Sequence, residues 1–385
     1  MPEITVSDLF LSVLVFVLGL LLSSTIQLPN SSRSRRIFLY LWHTAFCFVY
    51  LVYASNFGGD AFGYLSVAKS AMPVNFDFGT AAVNFIVRQL VVFGFGTVSI
   101  FLLFNLMGAV GLILLDSVLS SIKRPNSQLM NKLVLLFPLL PSISFWSSAV
   151  GKDAISFLAI CLFLYTYHVN PKNIMVFGAS IFLMTLVRPH MGITMLGGWS
   201  IMSLTGSQLS FSVKFIYSVF GLTIFALILP FALNYTGLGE NASASSVVDY
   251  IELRQSYNMQ GGGGVDISSL SYPMQIFAYL FRPFIFENLS VSGLMAGIDN
   301  LFLVVFVFTL VKLSGWDGLK KCFSKHLGLW SYAIVGLNIL ALTSANLGIS
   351  LRQKWMVFPI IIYVLLMALS YRSTMVKSKK KRLSI

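Results

Sequence analysis

Ten or eleven apolar stretches, each about as long as a bilayer crossing, run through this chain and leave mostly short polar gaps. A helix needs about 20 apolar residues to span the hydrocarbon core of a membrane. Hydrophobic residues make up 57% of the 385 positions and charged residues only 10%, whereas soluble domains carry about 25% charged residues. The pattern predicts an all-α fold: a polytopic transmembrane bundle of about eleven helices, with an outer-face loop domain containing interfacial helices.

The spans are expected at 8–27, 37–54, 98–119, 133–150, 154–168, 174–187, 191–205, 214–234, 294–313, 327–346 and 355–371. The sixth and seventh are short, a length that suits broken, tilted or partly re-entrant helices. No repeat of fixed period is visible, so neither a solenoid nor an obvious duplication is expected. One integral-membrane domain is expected over 1–385. Its first apolar run is taken as a retained helix, because Glu3 and Asp8 precede any Lys or Arg and a cleaved leader begins with cations.

The net charge of +13 could suggest a nucleic-acid partner, but the cations collect in a few gaps and in the tail. With the N-terminus outside, eighteen of the 26 cations fall on the inner side and eight on the outer. Reversing the chain would reverse that bias, which the positive-inside tendency disfavours. The expectation is a bacterial plasma-membrane protein with its N-terminus outside, its C-terminus cytoplasmic, and no nucleic-acid partner. The tail, 372–385, carries Arg372, Lys377, Lys379, Lys380, Lys381 and Arg382 and is expected to be a solvated, unstructured stop signal near anionic lipids. Cys47, Cys161 and Cys322 are scattered and show neither a disulfide framework nor metal-ligand spacing.

Under this orientation the largest non-spanning piece, 235–293, lies outside. It opens with the polar run Gly237–Ser246, continues through Asp249–Arg254, and reaches four consecutive glycines at Gly261–Gly264. Such a run is a hinge, a close approach to a ligand or a plain flexible connector. Ser271–Glu287 is too aromatic for a free loop and too interrupted to span, so it is expected to lie in the interface, as is Ala81–Phe95.

Apart from Lys69, the outer cations are Arg88, Lys152, Arg188, Arg254, Arg282, Arg352 and Lys354. Each could merely anchor a helix end by snorkelling. As a set they also suit an anionic lipid headgroup, since a planar guanidinium binds phosphate oxygens in pairs. Eleven of the thirteen acidic residues share that side or lie near it. Asp60, four residues before Tyr64, is either a helix N-cap or a carboxylate that takes a proton from a sugar hydroxyl. Glu287 and His190 are the other candidate bases, although a lone histidine near a helix start is usually a structural hydrogen-bonder. Asp153 beside Lys152 is expected to be an ion pair or a cap.

Taken together, Gly59-Asp60-x-x-x-Tyr64, Phe145–Asp153, Val187–His190, Phe281–Glu287 and Arg352-Gln-Lys354 resemble the Wzy-type polymerases that make O-antigen, capsule and exopolysaccharide. The wider resemblance is to the GT-C superfamily of integral-membrane glycosyltransferases. Polymerases of this type typically carry an outer Arg followed after ten residues by Gly; Arg282 and Gly293 fit that spacing and Arg254 does not. The odd, N-out helix count departs from the even, N-in arrangement usual for the family.

The resemblance implies a glycosyltransferase at the outer face of the plasma membrane. A glycan would leave its undecaprenyl pyrophosphate carrier and join a lipid-linked repeat unit, alongside the chain-length regulator and flippase of the same pathway. It implies Asp60, His190 or Glu287 as base, and Tyr64, Arg88, Lys152, Arg188, Arg254, Arg282, Arg352 and Lys354 around the pyrophosphate. No cofactor is expected, and the sequence has no nucleotide-binding fingerprint. No metal is demanded, though convergence of Asp60, Asp153 and Glu287 would admit a divalent ion. Three alternatives stay open: a GT-C transferase using a polyprenyl-phosphate sugar, a lipid-linked oligosaccharide flippase, and a structural or signalling membrane protein.

Overall fold

Helices in the computed structural model begin and end where the chain changes chemistry. The structure describes residues 5–124, 127–205, 244–259, 269–287 and 289–383, with scattered positions in 210–226 and residues 264, 265 and 267. Among them every named element is a helix, and the β contacts amount to one isolated bridge, Gly264 to Asn346. Most of the expected span at 214–234, the opening of the Gly237–Ser246 run and Gly261–263 lie outside the described residues.

Seven helical segments among the described residues, with Gln128–Ser147 counted as one, are long and apolar enough to cross a membrane, which makes this an all-helical membrane protein. Three shorter apolar helices, at Thr80–Val92, Ile174–Val187 and Leu327–Thr343, fall below that length. The chain divides into two compact units, one of residues 1–121 and 134–188, the other of 122–133 and 189–385.

The first unit holds α1 (Val6–Thr25), α2 (Arg33–Phe57), α3 (Asp60–Lys69), α4 (Thr80–Val92) and α5 (Thr97–Ser121). The expected fourth span is broken. Helix α6 (Gln128–Leu136), whose residues up to Leu133 belong to the other unit, passes through a 3₁₀ turn at Phe137–Leu139 into α7 (Pro141–Ser147), because Pro138 and Pro141 cannot donate to the preceding turn. Helices α8 (Lys152–Val169) and α9 (Ile174–Val187) complete it. Helix α5 packs against α1, α2 and α8. Its first amides are capped from another helix: Asp8 of α1 accepts from Val98 N (3.2 Å) and Ser99 N (2.9 Å). Arg35 of α2 pairs with Asp116 of α5 at 2.9 Å and donates to the Leu135 carbonyl, so this expected inner cation also ties helices together. Deeper in α2, buried His43 bonds Asn105 Oδ1 (2.6 Å) and Ser147 Oγ (2.8 Å), linking α2, α5 and α7.

The second unit holds α10 (Pro189–Thr205), α11 (Ala244–Met259), α12 (Tyr272–Phe281), α13 (Val291–Lys325), α14 (Leu327–Thr343), α15 (Leu347–Gln353) and α16 (Phe358–Leu383). Helices α10 and α14 cross at Gly198 and Gly328, where a Cβ on either glycine would press on the other's carbonyl oxygen at 2.8 or 2.2 Å. Small residues at such a crossing let membrane helices pack backbone to backbone. Helix α13 pairs with α16 and bends at Gly315, two residues beyond the expected end of the ninth span. The tail is not the unstructured segment expected: α16 continues as helix through Leu383.

Candidate functional site

In the first unit the turn at Gly58–Gly59 delivers the chain from α2 into α3. Gly59 occupies the N-cap position with no side-chain bond, so Asp60 is the first helical residue and not the cap. Asp60 is exposed, and Tyr64, one turn on, is buried. The Tyr64 ring reaches the segment before α8, where a Cβ on Gly151 would lie 3.4 Å from it.

That segment opens α8 with Lys152 and Asp153. Lys152 Nζ donates to Thr80 Oγ1, at the start of α4, at 3.1 Å. Asp153 accepts from Arg188 Nη2 at 2.6 Å. Of the expected ion pair or cap, the structure shows an ion pair whose partner lies 35 residues on, at the C-cap of α9. A bond from Gly79 N to Leu186 O (2.8 Å) holds the approach to α4 against that same end of α9. An apolar layer that includes Ala61, Leu65, Val83, Val150, Ile155 and Val187 packs beneath.

Tyr64, Lys152 and Arg188 are thus brought together at the N-terminus of α8. Amides at a helix start favour an anion, and here two cations stand beside them. The Arg188 side chain is 7% exposed, and its Nε, buried, has no hydrogen-bond partner among the described residues. An unsatisfied buried donor costs about 1–3 kcal/mol, which a ligand oxygen placed there would relieve.

Arg88 does not belong to this group. From α4 its Nη1 donates to Ala68 O (2.6 Å) and to Ser70 O, closing the C-terminal end of α3. Its role in the fold is that of a cap.

The second unit places the other candidates. Arg282 follows α12, and its Nε donates to both Glu287 oxygens at 2.9 and 3.0 Å. Glu287, a candidate base, is therefore held as the counter-ion of a candidate phosphate ligand. Between them, Pro283 O accepts from Asn300 Nδ2 at 2.8 Å, and Asn300 Oδ1 accepts from Lys354 Nζ. Lys354 has no exposed surface and lies over the rings of Trp355 and Phe358. Burial pulls its ammonium below the ordinary lysine range, opposed in part by the carboxylate of Asp299. Lys354 is an internal brace, which corrects its assignment as a pyrophosphate contact.

Arg254 sits on the exposed side of α11, bonded to Tyr250 Oη (3.0 Å) and stacked over that ring. The opposite side of the helix docks through Gln255 and Asn258 on the Leu342 and Thr343 carbonyls. His190 lies half-buried in the first turn of α10, and Arg352 half-buried in the last turn of α15.

Asp299, Asn300 and the His43–Asn105–Ser147 chain are not among the expected site residues, and their one signal in the sequence is a polar residue inside an otherwise apolar run. Among the described residues no group of three or more His, Cys, Asp or Glu stands where it could hold a metal ion. Asp153 is taken by Arg188 and Glu287 by Arg282. No protein-family model, curated protein or solved structure matches this chain.

Proposed function

We propose that this protein is a polysaccharide polymerase of the outer face of a bacterial plasma membrane. It transfers a glycan from an undecaprenyl pyrophosphate carrier to a lipid-linked repeat unit. One observation supports the reading above the others: Lys152 and Arg188 flank the N-terminus of α8, with an open donor on Arg188 Nε. That is the equipment of a phosphate site on a membrane protein. In this reading the N-terminus is outside, about eleven helices span, and 235–293 forms a loop domain on the outer side.

The acceptor hydroxyl oxygen bonds to the anomeric carbon as the bond from that carbon to the pyrophosphate oxygen breaks. The hydroxyl proton passes to a base, and the carrier leaves with its pyrophosphate. Negative charge grows on the leaving group, so preplaced cations stabilise the transition state more than the bound substrate. Asp60 suits the base role: it is exposed on α3, one turn before Tyr64. Lys152, Arg188 and Tyr64 serve the pyrophosphate, and in the second unit Arg282 and Arg352 remain candidates for a lipid-linked glycan.

The test is the glycan ladder of cells that carry Lys152→Ala or Arg188→Lys as their sole copy. Arg188→Lys keeps a cation for Asp153 and removes the guanidinium fork. Losing one such donor costs about 10²–10³ in rate. The expected ladder stops at a single lipid-linked unit while the protein accumulates normally. Full ladders from both variants would remove the polymerase reading. A shortfall of one sugar inside every unit would instead point to a GT-C transferase acting on a polyprenyl-phosphate sugar.

A further inference from the structure

Helix α13 changes character at Gly315, whose φ of 57° is left-handed. At the break Arg372 Nη1 of α16 donates to the Lys312 and Leu313 carbonyls at 3.3 and 2.8 Å. Beyond it, the ten-residue arm Trp316–Lys325 presents two faces. One packs on α16, where buried Cys322 lies against the Val364 carbonyl. The other shows Trp316, which is 77% exposed, along with Lys320, Phe323 and Lys325.

Two ammonium groups of this arm converge on one ring. Lys321 Nζ lies 5.5 Å and Lys325 Nζ 5.4 Å from the centroid of Tyr371, whose hydroxyl bonds His326 Nε2 at 2.9 Å. Like charges one helical turn apart repel, and a cation over an exposed aromatic face offsets only a small part of that. The carboxylate on the arm, Asp317, lies one turn before Lys321, yet that ammonium turns to the ring. Among the described residues neither lysine has an acidic partner.

We infer that Lys321, Lys325 and the Tyr371 edge bind the phosphate of an anionic phospholipid headgroup. A phosphate between the two ammonium groups removes their repulsion. A lipid is favoured over a free phosphate by what flanks the charges: Trp316 and Phe323 are exposed on the same arm, and tryptophan beside lysine marks the headgroup level of a bilayer. On the positive-inside count this arm belongs to the inner leaflet, so the site is separate from the glycan-joining reading and stands without it.

The test melts the purified full-length protein in detergent with added phosphatidylglycerol, phosphatidylcholine or inorganic phosphate. Binding to the folded state raises Tm by mass action. Phosphatidylglycerol is expected to raise Tm by several degrees, and the other two to leave it unchanged. Lys321→Gln/Lys325→Gln should lose at least half of that increment, and Lys321→Arg/Lys325→Arg should retain it. Native mass spectrometry of the unaltered protein, which needs no variant to fold, should show co-purified phosphatidylglycerol. An equal response to phosphatidylcholine, a response to phosphate alone, or a full response from the glutamine variant would each overturn the assignment.

Discussion

Lys354 shows how a side chain that looks like a ligand can belong to the fold. Its ammonium is fully buried against Asn300, with the carboxylate of Asp299, 1% exposed, nearby. Taking one charge away from such a set weakens what offsets the burial of the other, which is destabilising. Lys354→Met is therefore expected to lower Tm sharply in detergent, while Lys354→Met/Asp299→Asn recovers most of the loss. A double variant less stable than Lys354→Met would show that the two charges do not compensate each other. Arg188 is the contrasting case. Its charge is matched by Asp153, yet one donor of its fork remains open, and that difference makes it a ligand candidate where Lys354 is not.

At the scale of elements, two devices outside the apolar pattern decide where helices begin and bend. Asp8 caps α5 from another helix, and losing such a cap costs about 0.5–2 kcal/mol. Asp8→Ala should lower Tm with no change in the membrane-inserted fraction; an unchanged Tm would mean the amides find another acceptor. Gly315 holds a backbone (φ 57°, ψ 172°) that is nearly confined to glycine and costs a residue with a side chain about 1–3 kcal/mol. A Cβ there would also lie 2.6 Å from Arg372 Nη1. Gly315→Ala should therefore destabilise by more than Asp8→Ala, and a neutral outcome would show that the bend is not set by this residue. Long spans such as 8–27 and 98–119 are legible because apolar length alone marks them. Helix α3 and helix α15 are not, since seven to ten residues of mixed polarity carry no period strong enough to read. The same limit applies to the site. Lys152 and Arg188 stood out as charges beside helix ends, but their tie through Asp153 and Thr80 joins positions 35 and 72 residues apart. The chain order carries no trace of that pairing.

For the molecule as a whole, orientation is the property from which the functional reading takes its direction. Eighteen of 26 cations lie in the gaps and tail assigned inside, and cationic segments of this kind resist translocation. The three native cysteines are buried, so an impermeant maleimide meets little background in the unaltered chain. Met72, which is 74% exposed between α3 and α4, and Ser324, exposed on the arm beyond Gly315, offer reporters on opposite sides of the assignment. Met72→Cys should label in intact cells, and Ser324→Cys only after the membrane is permeabilised. The reverse pattern would carry Lys152 and Arg188 to the cytoplasmic side, where an undecaprenyl-linked glycan awaiting polymerisation is not presented. The α8 site would then need a cytoplasmic anion as its ligand, and the polymerase reading would fail however well its cations are placed.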